Sequence, residues 1–504
     1  MTYTSFTYFA FLVVLVIVYF AIPRKAQWVV LLVGSYLFYI FAAGTGTIVY
    51  LIVTTISVFL TALGVSKQKT KARKKGVMAI GLLINFGILG VLKYSGFVII
   101  NVNTVFHLGF GAPSFLLPLG ISFYTFQTAG YLIDVYRGKY APDTNIFKFA
   151  LFTSFFPQIV QGPISRHDQL AHQLYASHDF NWLRFKYGLE LMLWGLFKKL
   201  VIADRAAVFV QYTINNSDQL AGSQIAAGCL MYMIQIYGDF SGGIDISRGV
   251  CLVLGIEMTE NFRRPYFSTS LTDFWRRWHI TLGAWMREYI FYPLVLSPGF
   301  GKVGKWTRKH IGPYWGRTLP AMIATGITFL VVGIWHGAAW KFVCYGAYNA
   351  VILMFETAFV PKISDWNKKV GFINTKTFSW HFLSILVTLF ILFIGRFFSF
   401  SYGADQAVSM IKSVFLSFHP SLLFNGSLYQ MGLSEYSFNL LMVAVIVLFV
   451  VSLSQELGVK MREALERQNI VFRWIIYLVA VFTILIFGVY GPNVDPSMFI
   501  YQQF

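Results

Sequence analysis

Charge is scarce in this chain. Asp, Glu, Lys and Arg together make up 12% of its 504 residues, about half of the ~25% typical of a soluble globular protein. That shortage, set against 57% hydrophobic residues, argues against a soluble enzyme or a secreted domain. Cysteine is nearly absent: Cys229, Cys251 and Cys344 lie in or beside apolar stretches with no metal-ligand spacing, which argues against a disulfide framework. The sequence has no Gly-rich nucleotide loop, no Ser-His-Asp set, no low-complexity linker and no visible inverted repeat. The N-terminus lacks a signal-peptide pattern. Its apolar run from Tyr8 to Ile22 has no basic residue ahead of it and no small-residue cleavage site behind, so it reads as a first membrane helix.

What fills the chain instead is a series of long apolar runs. A span of about 20 apolar residues crosses the hydrocarbon layer as a helix. This measure marks spans near 5–22, 28–43, 47–64, 77–100, 114–135, 186–211, 222–237, 318–334, 337–360, 380–397, 437–455 and 472–490. The expected fold is therefore an all-α polytopic membrane protein of about 11–12 transmembrane helices, a single domain over 1–504. Within it, N-terminal helices occupy 1–112, a core 113–360 and C-terminal helices 361–504.

The 40 Lys and Arg against 21 Asp and Glu give a formal charge of +19, and topology accounts for it better than nucleic acid does. The cations cluster in short loops, as at Arg24-Lys25, Lys67–Lys75, Arg137–Lys139 and Lys302–Lys309. Such loops stay on the cytoplasmic side. That places both termini outside in a multi-pass membrane protein.

Two stretches break the pattern. Residues 146–175 are apolar but interrupted by Pro157 and Pro163, and residues 260–295 mix Arg, Trp, Tyr and His with no clean span. Broken backbone at membrane depth is tolerated only when buried in protein or lining a cavity. Both segments are therefore expected to be re-entrant or interfacial and to surround a central funnel or tunnel.

Two histidines stand apart. His336, in Gly333-Ile334-Trp335-His336-Gly337, sits where one apolar run ends and the next begins. An ionisable group there is a functional candidate by default, and the flanking glycines leave room for a substrate or another backbone. A core histidine bonded to a carbonyl is the plainer alternative. His279 closes Phe274-Trp275-Arg276-Arg277-Trp278-His279. On a helix, Trp275 and His279 would share a face and Asp273 would pair with Arg277; an ordinary interfacial helix fits the same residues.

Asp239 and Asp245 lie in Tyr237-Gly238-Asp239-Phe240-Ser241-Gly242-Gly243-Ile244-Asp245. Asp245 has Arg248 at i,i+3 for a structural ion pair, whereas Asp239 has no cation nearby in sequence. Gln127, Gln158 and Gln161 either line a tunnel or cap broken helices. Lys198-Lys199 interrupt an apolar run; they read as basic side chains snorkelling from a helix end, with a donor-phosphate contact as the alternative. The other histidines lie mostly in loops or at span ends.

Taken together, the segments Asn261–Ser268, Phe274–Leu282 and Gly333–Gly337 resemble signatures of the membrane-bound O-acyltransferase family. Leu117–Phe123, Phe156-Pro157-Gln158, Gly162-Pro163-Ile164, Tyr237–Gly242 and the closing Phe499–Phe504 resemble its bacterial branch, whose members O-acetylate alginate or peptidoglycan or D-alanylate teichoic acid. The resemblance runs from about residue 5 to the end. It implies that His336 is the catalytic histidine and His279 the second motif histidine. It further implies a funnel near Asp239, Gln127, Gln158, Trp275, Trp278 and Trp335. No cofactor is bound tightly; the donor is acetyl-CoA or another acyl thioester, carried by coenzyme A or an acyl carrier protein.

The chemistry agrees with this. Acyl transfer to a hydroxyl needs a base as the nucleophile attacks, and a neutral imidazole suits that task near neutral pH. His279 is left with several roles: orienting donor or acceptor, or stabilising the oxyanion. The expected activity is relay of an acetyl group across the membrane to an extracytoplasmic or cell-wall polysaccharide, completed by a separate Ser-nucleophile partner docked at the aromatic C-terminus. D-alanyl transfer to teichoic acid, or a glycan flippase with no chemistry of its own, are the alternatives.

Overall fold

The computed structural model describes residues 1–371 and 374–490. The aromatic segment Phe499–Phe504 lies outside the described residues. The expected spans fall on helix, except that 114–120 is irregular and the span 114–135 is helical only from Ile121: Phe6–Ala21, Gln27–Ala43, Ile48–Lys67, Lys71–Phe106, Ile121–Arg137, Gly222–Val253, Pro313–His336, Trp340–Val370, Phe378–Phe400, Glu435–Glu456 and Ile470–Phe487, with the run at 186–211 formed by Trp182–Leu196 and Asp204–Asn215. Among the described residues, eight helices are long and apolar enough to cross a membrane. Among the described residues there is no strand, only an isolated antiparallel bridge between Phe262 and Trp278. The chain is an all-α, multi-pass membrane protein.

It divides into two compact units. One holds residues 1–200, 239–259 and those from 469 on; the other holds 201–238 and 260–468. In the first unit the break at Pro157 is a buried break, with every residue from 149 to 165 buried. The backbone groups it releases are met by side chains, as they must be where water is absent. The Tyr3 hydroxyl serves the carbonyls of Phe156 and Pro157 at 3.0 and 2.9 Å. Ser35 Oγ accepts from the Phe156 N–H at 3.1 Å, and Gln127 Nε2 donates to the Phe152 carbonyl at 3.0 Å.

The paired lysines correct the snorkelling expectation. Lys198 and Lys199 are each 2% exposed, on a π-helical stretch Phe197–Ala203. Lys198 Nζ lies 2.6 Å from Asp245, and Lys199 Nζ lies 2.5 Å from Asp239. The expected Asp245–Arg248 pair is present but looser, at 3.8 Å. Lysines 47 and 40 residues upstream of their carboxylates leave no trace in local sequence spacing, which is why Asp239 reads there as lacking a cation.

In the second unit, Pro313–His336 and Trp340–Val370 cross closely at two glycines. A Cβ on Gly333 would stand 2.5 Å from the Phe342 carbonyl oxygen and 2.8 Å from Gly346 Cα. Gly333 is therefore small to admit another backbone, not a substrate, and the crossing sets the position of His336 one turn later.

Two outcomes are expected. Asp239→Leu strands the Lys199 cation in the interior and should cost about 3–5 kcal/mol, while Lys199→Met with Asp239→Leu recovers most of it. Unfolding in detergent measures both, and equal losses in the single and double variants would refute the pairing. Gly346→Ala should destabilise by about 1–3 kcal/mol through overpacking, read from the same melts.

Candidate active site

His336 is the last residue of Pro313–His336 and is 7% exposed. Its ring meets Trp335 at 5.1 Å, Tyr345 edge-on at 6.0 Å and Phe342 stacked at 6.4 Å, as centroid distances. Trp335 in turn presents itself edge-on to His279 at 5.8 Å. The two histidines singled out in the sequence thus flank one indole.

His279 is not on a helix with Trp275. The helix Leu271–Arg277 ends first, Trp278 is extended and His279 adopts φ 47°, in the left-handed region. That conformation costs a non-glycine residue about 1–2 kcal/mol and persists only where surroundings impose it. Here the Arg263 N–H donates to the Arg277 carbonyl at 2.9 Å and the Ile280 N–H to the Asn261 carbonyl at 3.0 Å, so the chain on both sides of His279 is pinned to 261–263.

The helix before it is held from three sides. The Glu356 carboxylate accepts from the N–H groups of Leu271 and Thr272, each at 2.8 Å, and from the Thr272 hydroxyl at 2.6 Å. This places an anion at a helix N-terminus. Trp275 Nε1 donates to Asn349 Oδ1 at 3.2 Å. Arg277 makes the expected pair with Asp273 at 3.1 Å and a second with Glu456 at 2.8 Å, and Glu456 also holds Arg264 at 2.6 Å. Trp278, 1% exposed, stacks on Phe274 at 5.5 Å. Trp275 and Trp278 therefore fix this segment, while Trp335 contacts both histidines.

Asn261 decides the tautomer of His279. Its Oδ1 accepts from the Thr281 N–H at 3.0 Å and the Thr281 hydroxyl at 2.9 Å. A backbone N–H only donates, so that atom of Asn261 is the carbonyl oxygen. His279 Nδ1 sits 3.3 Å from the same oxygen and must be the protonated nitrogen. The neutral ring then carries its lone pair on Nε2. Burial, and secondarily the nearness of His336, hold the His279 imidazole well below its usual range and keep it neutral.

The remaining sequence candidates lie in the first unit. Asp239 is engaged by Lys199, and Gln127 bonds the Phe152 carbonyl with Gln158 Oε1 3.4 Å away. Gln158 Nε2 and both amide atoms of Gln161 are buried without a hydrogen-bond partner.

Several residues escaped the sequence reading: Asn261 as a partner of His279, Glu356, Glu456, Asn349, Tyr345 and Arg396. Arg396 is 3% exposed, with Cζ 4.8 Å from the Trp278 ring centre, and its Nη1 donates to the Tyr345 hydroxyl at 3.2 Å. Glu356 and Arg396 did carry a signal, being charges inside the apolar runs 337–360 and 380–397. Among the described residues no group of three or more His, Cys, Asp or Glu could hold a metal ion.

Comparison with known proteins identifies the family. The membrane-bound O-acyltransferase family model matches residues 139–399, a stretch containing both histidines and, apart from Glu456, the residues that hold them. A probable alginate O-acetylase of Azotobacter vinelandii is 32% identical over 357 residues, covering 69% of this chain and 67% of the relative. A peptidoglycan O-acetyltransferase of Helicobacter pylori is 32% identical, covering 73% of this chain and 74% of the relative. A teichoic acid D-alanyltransferase of Bacillus subtilis is 28% identical, covering 56% and 68%. A flippase without chemistry does not fit these matches. The chain is an O-acyltransferase enzyme and belongs to the membrane-bound O-acyltransferase family.

Proposed function

We propose that the protein transfers an acetyl group from a cytoplasmic acyl thioester, across the membrane, toward O-acetylation of an extracytoplasmic or cell-wall polysaccharide, with His336 as the general base. The observation that carries this reading is the pair of buried imidazoles, His336 and His279, that both contact Trp335. The names of the relatives support the acyl group and the acceptor class: those at 32% identity are an alginate O-acetylase and a peptidoglycan O-acetyltransferase. The D-alanyl relative matches a smaller share of this chain.

In this mechanism the acceptor hydroxyl attacks the thioester carbonyl and passes its proton to His336 as the bond forms. The tetrahedral intermediate then expels the thiolate, which takes that proton back. A positioned base of this kind contributes about 10²–10⁴ in rate. With Nδ1–H committed to Asn261, neutral His279 offers an acceptor and not a donor at Nε2. It therefore orients the incoming hydroxyl and leaves the oxyanion to another group. The donor is acetyl-CoA or an acyl carrier thioester, both termini face outward, and a separate protein bearing a nucleophilic Ser completes transfer to the glycan.

Purified protein in nanodiscs with radiolabelled acetyl-CoA tests this, with and without the partner. His336→Ala should lower thioester turnover by about 10²–10⁴. Wild-type protein that ignores acetyl-CoA and accepts a D-alanyl carrier instead would overturn the acetyl reading. Asn261→Leu, nearly isosteric but without Oδ1, should lower kcat by about 10–100-fold, an effect of misplacing a catalytic group. Nitrogen-15 spectra of histidine-labelled protein should show His279 protonated at Nδ1 in the wild type and lose that state in the variant.

A further inference from the structure

The two imidazoles leave one need unmet: a donor for the negative charge that develops on the thioester oxygen. We infer that Tyr345, oriented by the buried guanidinium of Arg396, is that donor. The inference rests on the acyl-transfer reading above and adds a catalytic residue to it.

Tyr345 belongs to Trp340–Val370, is 5% exposed and places its ring edge-on to His336 with centroids 6.0 Å apart. Its hydroxyl accepts from Arg396 Nη1 at 3.2 Å. Arginine has no acceptor atom, so the direction of this bond is fixed. The bond occupies a lone pair of the phenol oxygen and leaves its proton to donate. Arg396 is itself fixed, with Cζ 4.8 Å from the centre of the Trp278 ring and 5.8 Å from those of Phe274 and Tyr345. Trp278 immediately precedes His279, so the cation that engages the phenol oxygen rests on the segment that carries His279, while the Tyr345 ring packs edge-on to His336. A cation held by aromatic faces at low dielectric polarises the phenol through a bond shaped before any substrate arrives. Such preorganised donors contribute most where charge appears only in the transition state.

The step balances without a further reactant. The hydroxyl oxygen forms a bond to the thioester carbon, its proton moves to His336, and the carbonyl electron pair shifts to oxygen, where the Tyr345 O–H receives it as a hydrogen bond. On collapse that pair re-forms the carbonyl, the carbon–sulfur bond breaks and the thiolate takes the proton from His336. Tyr345 keeps its own proton throughout.

Tyr345→Phe removes one oxygen and preserves both ring contacts. With acetyl-CoA as donor, kcat should fall on the order of 10²–10³ while KM stays within about threefold, and the melting temperature in detergent should hold. Incorporating 3-fluorotyrosine at position 345 should keep kcat near wild type, since the donor is retained. Arg396→Lys should lower kcat with little change in KM. A Tyr345→Phe enzyme with wild-type kcat would overturn the inference and leave the acyl-transfer reading standing. A wild-type enzyme that consumes no thioester would overturn both.

Discussion

Where hydrocarbon replaces water, every backbone N–H and C=O must find its partner inside the protein. Helices meet that demand unaided, and most of this chain is helix for that reason. The segment around His279 does not meet it unaided. Its backbone turns through a left-handed residue, and what holds it there is a small set of side-chain bonds: Asn261 to His279 and Thr281, Glu356 to the start of Leu271–Arg277, and Glu456 to Arg264 and Arg277. Remove these bonds and the second histidine has no defined place. The geometry of the candidate site is built on the satisfaction of an otherwise illegal stretch of backbone.

Arg396 works by the same logic at shorter range. A guanidinium buried among Phe274, Trp278 and Tyr345 is expensive to hold, and the aromatic faces offset part of that cost. Site and scaffold thus share residues. Trp278 packs the segment from inside and carries Arg396 on its face, so the distinction between structural and chemical residues is blurred at this point.

The helices were legible in the sequence because hydrocarbon imposes a length on apolar runs, and the expected spans lie on helix apart from the irregular stretch 114–120. The two broken stretches were legible for the converse reason: Pro157 and the Arg- and Trp-rich stretch from 260 interrupt a pattern that lipid would otherwise enforce. His336 and His279 were legible as polar groups in apolar surroundings. What could not be read was pairing across distance. Asp239 finds Lys199, the Leu271–Arg277 helix finds Glu356, and Tyr345 finds Arg396, each dozens of residues away in sequence. No periodicity encodes such partners. The expectation that Lys198 and Lys199 snorkel failed in the same way, because a basic residue near an apolar run looks identical whether its head reaches the interface or a buried carboxylate.

The stretch that carries those lysines has a further property. A π-helix closes its hydrogen bonds from i to i+5 and holds more residues per turn than an α-helix. Adjacent residues in an α-helix diverge by about 100° around the axis, yet Lys198 and Lys199 both reach carboxylates on Gly222–Val253. The widened turn makes room for this. Phe197–Ala203 therefore acts as a gauge of chain length. Exchanging one side chain there alters only that side chain's own bonds, whereas deleting one residue re-registers the turn and carries a lysine away from its carboxylate. Variation at this point can proceed by substitution but not by shortening.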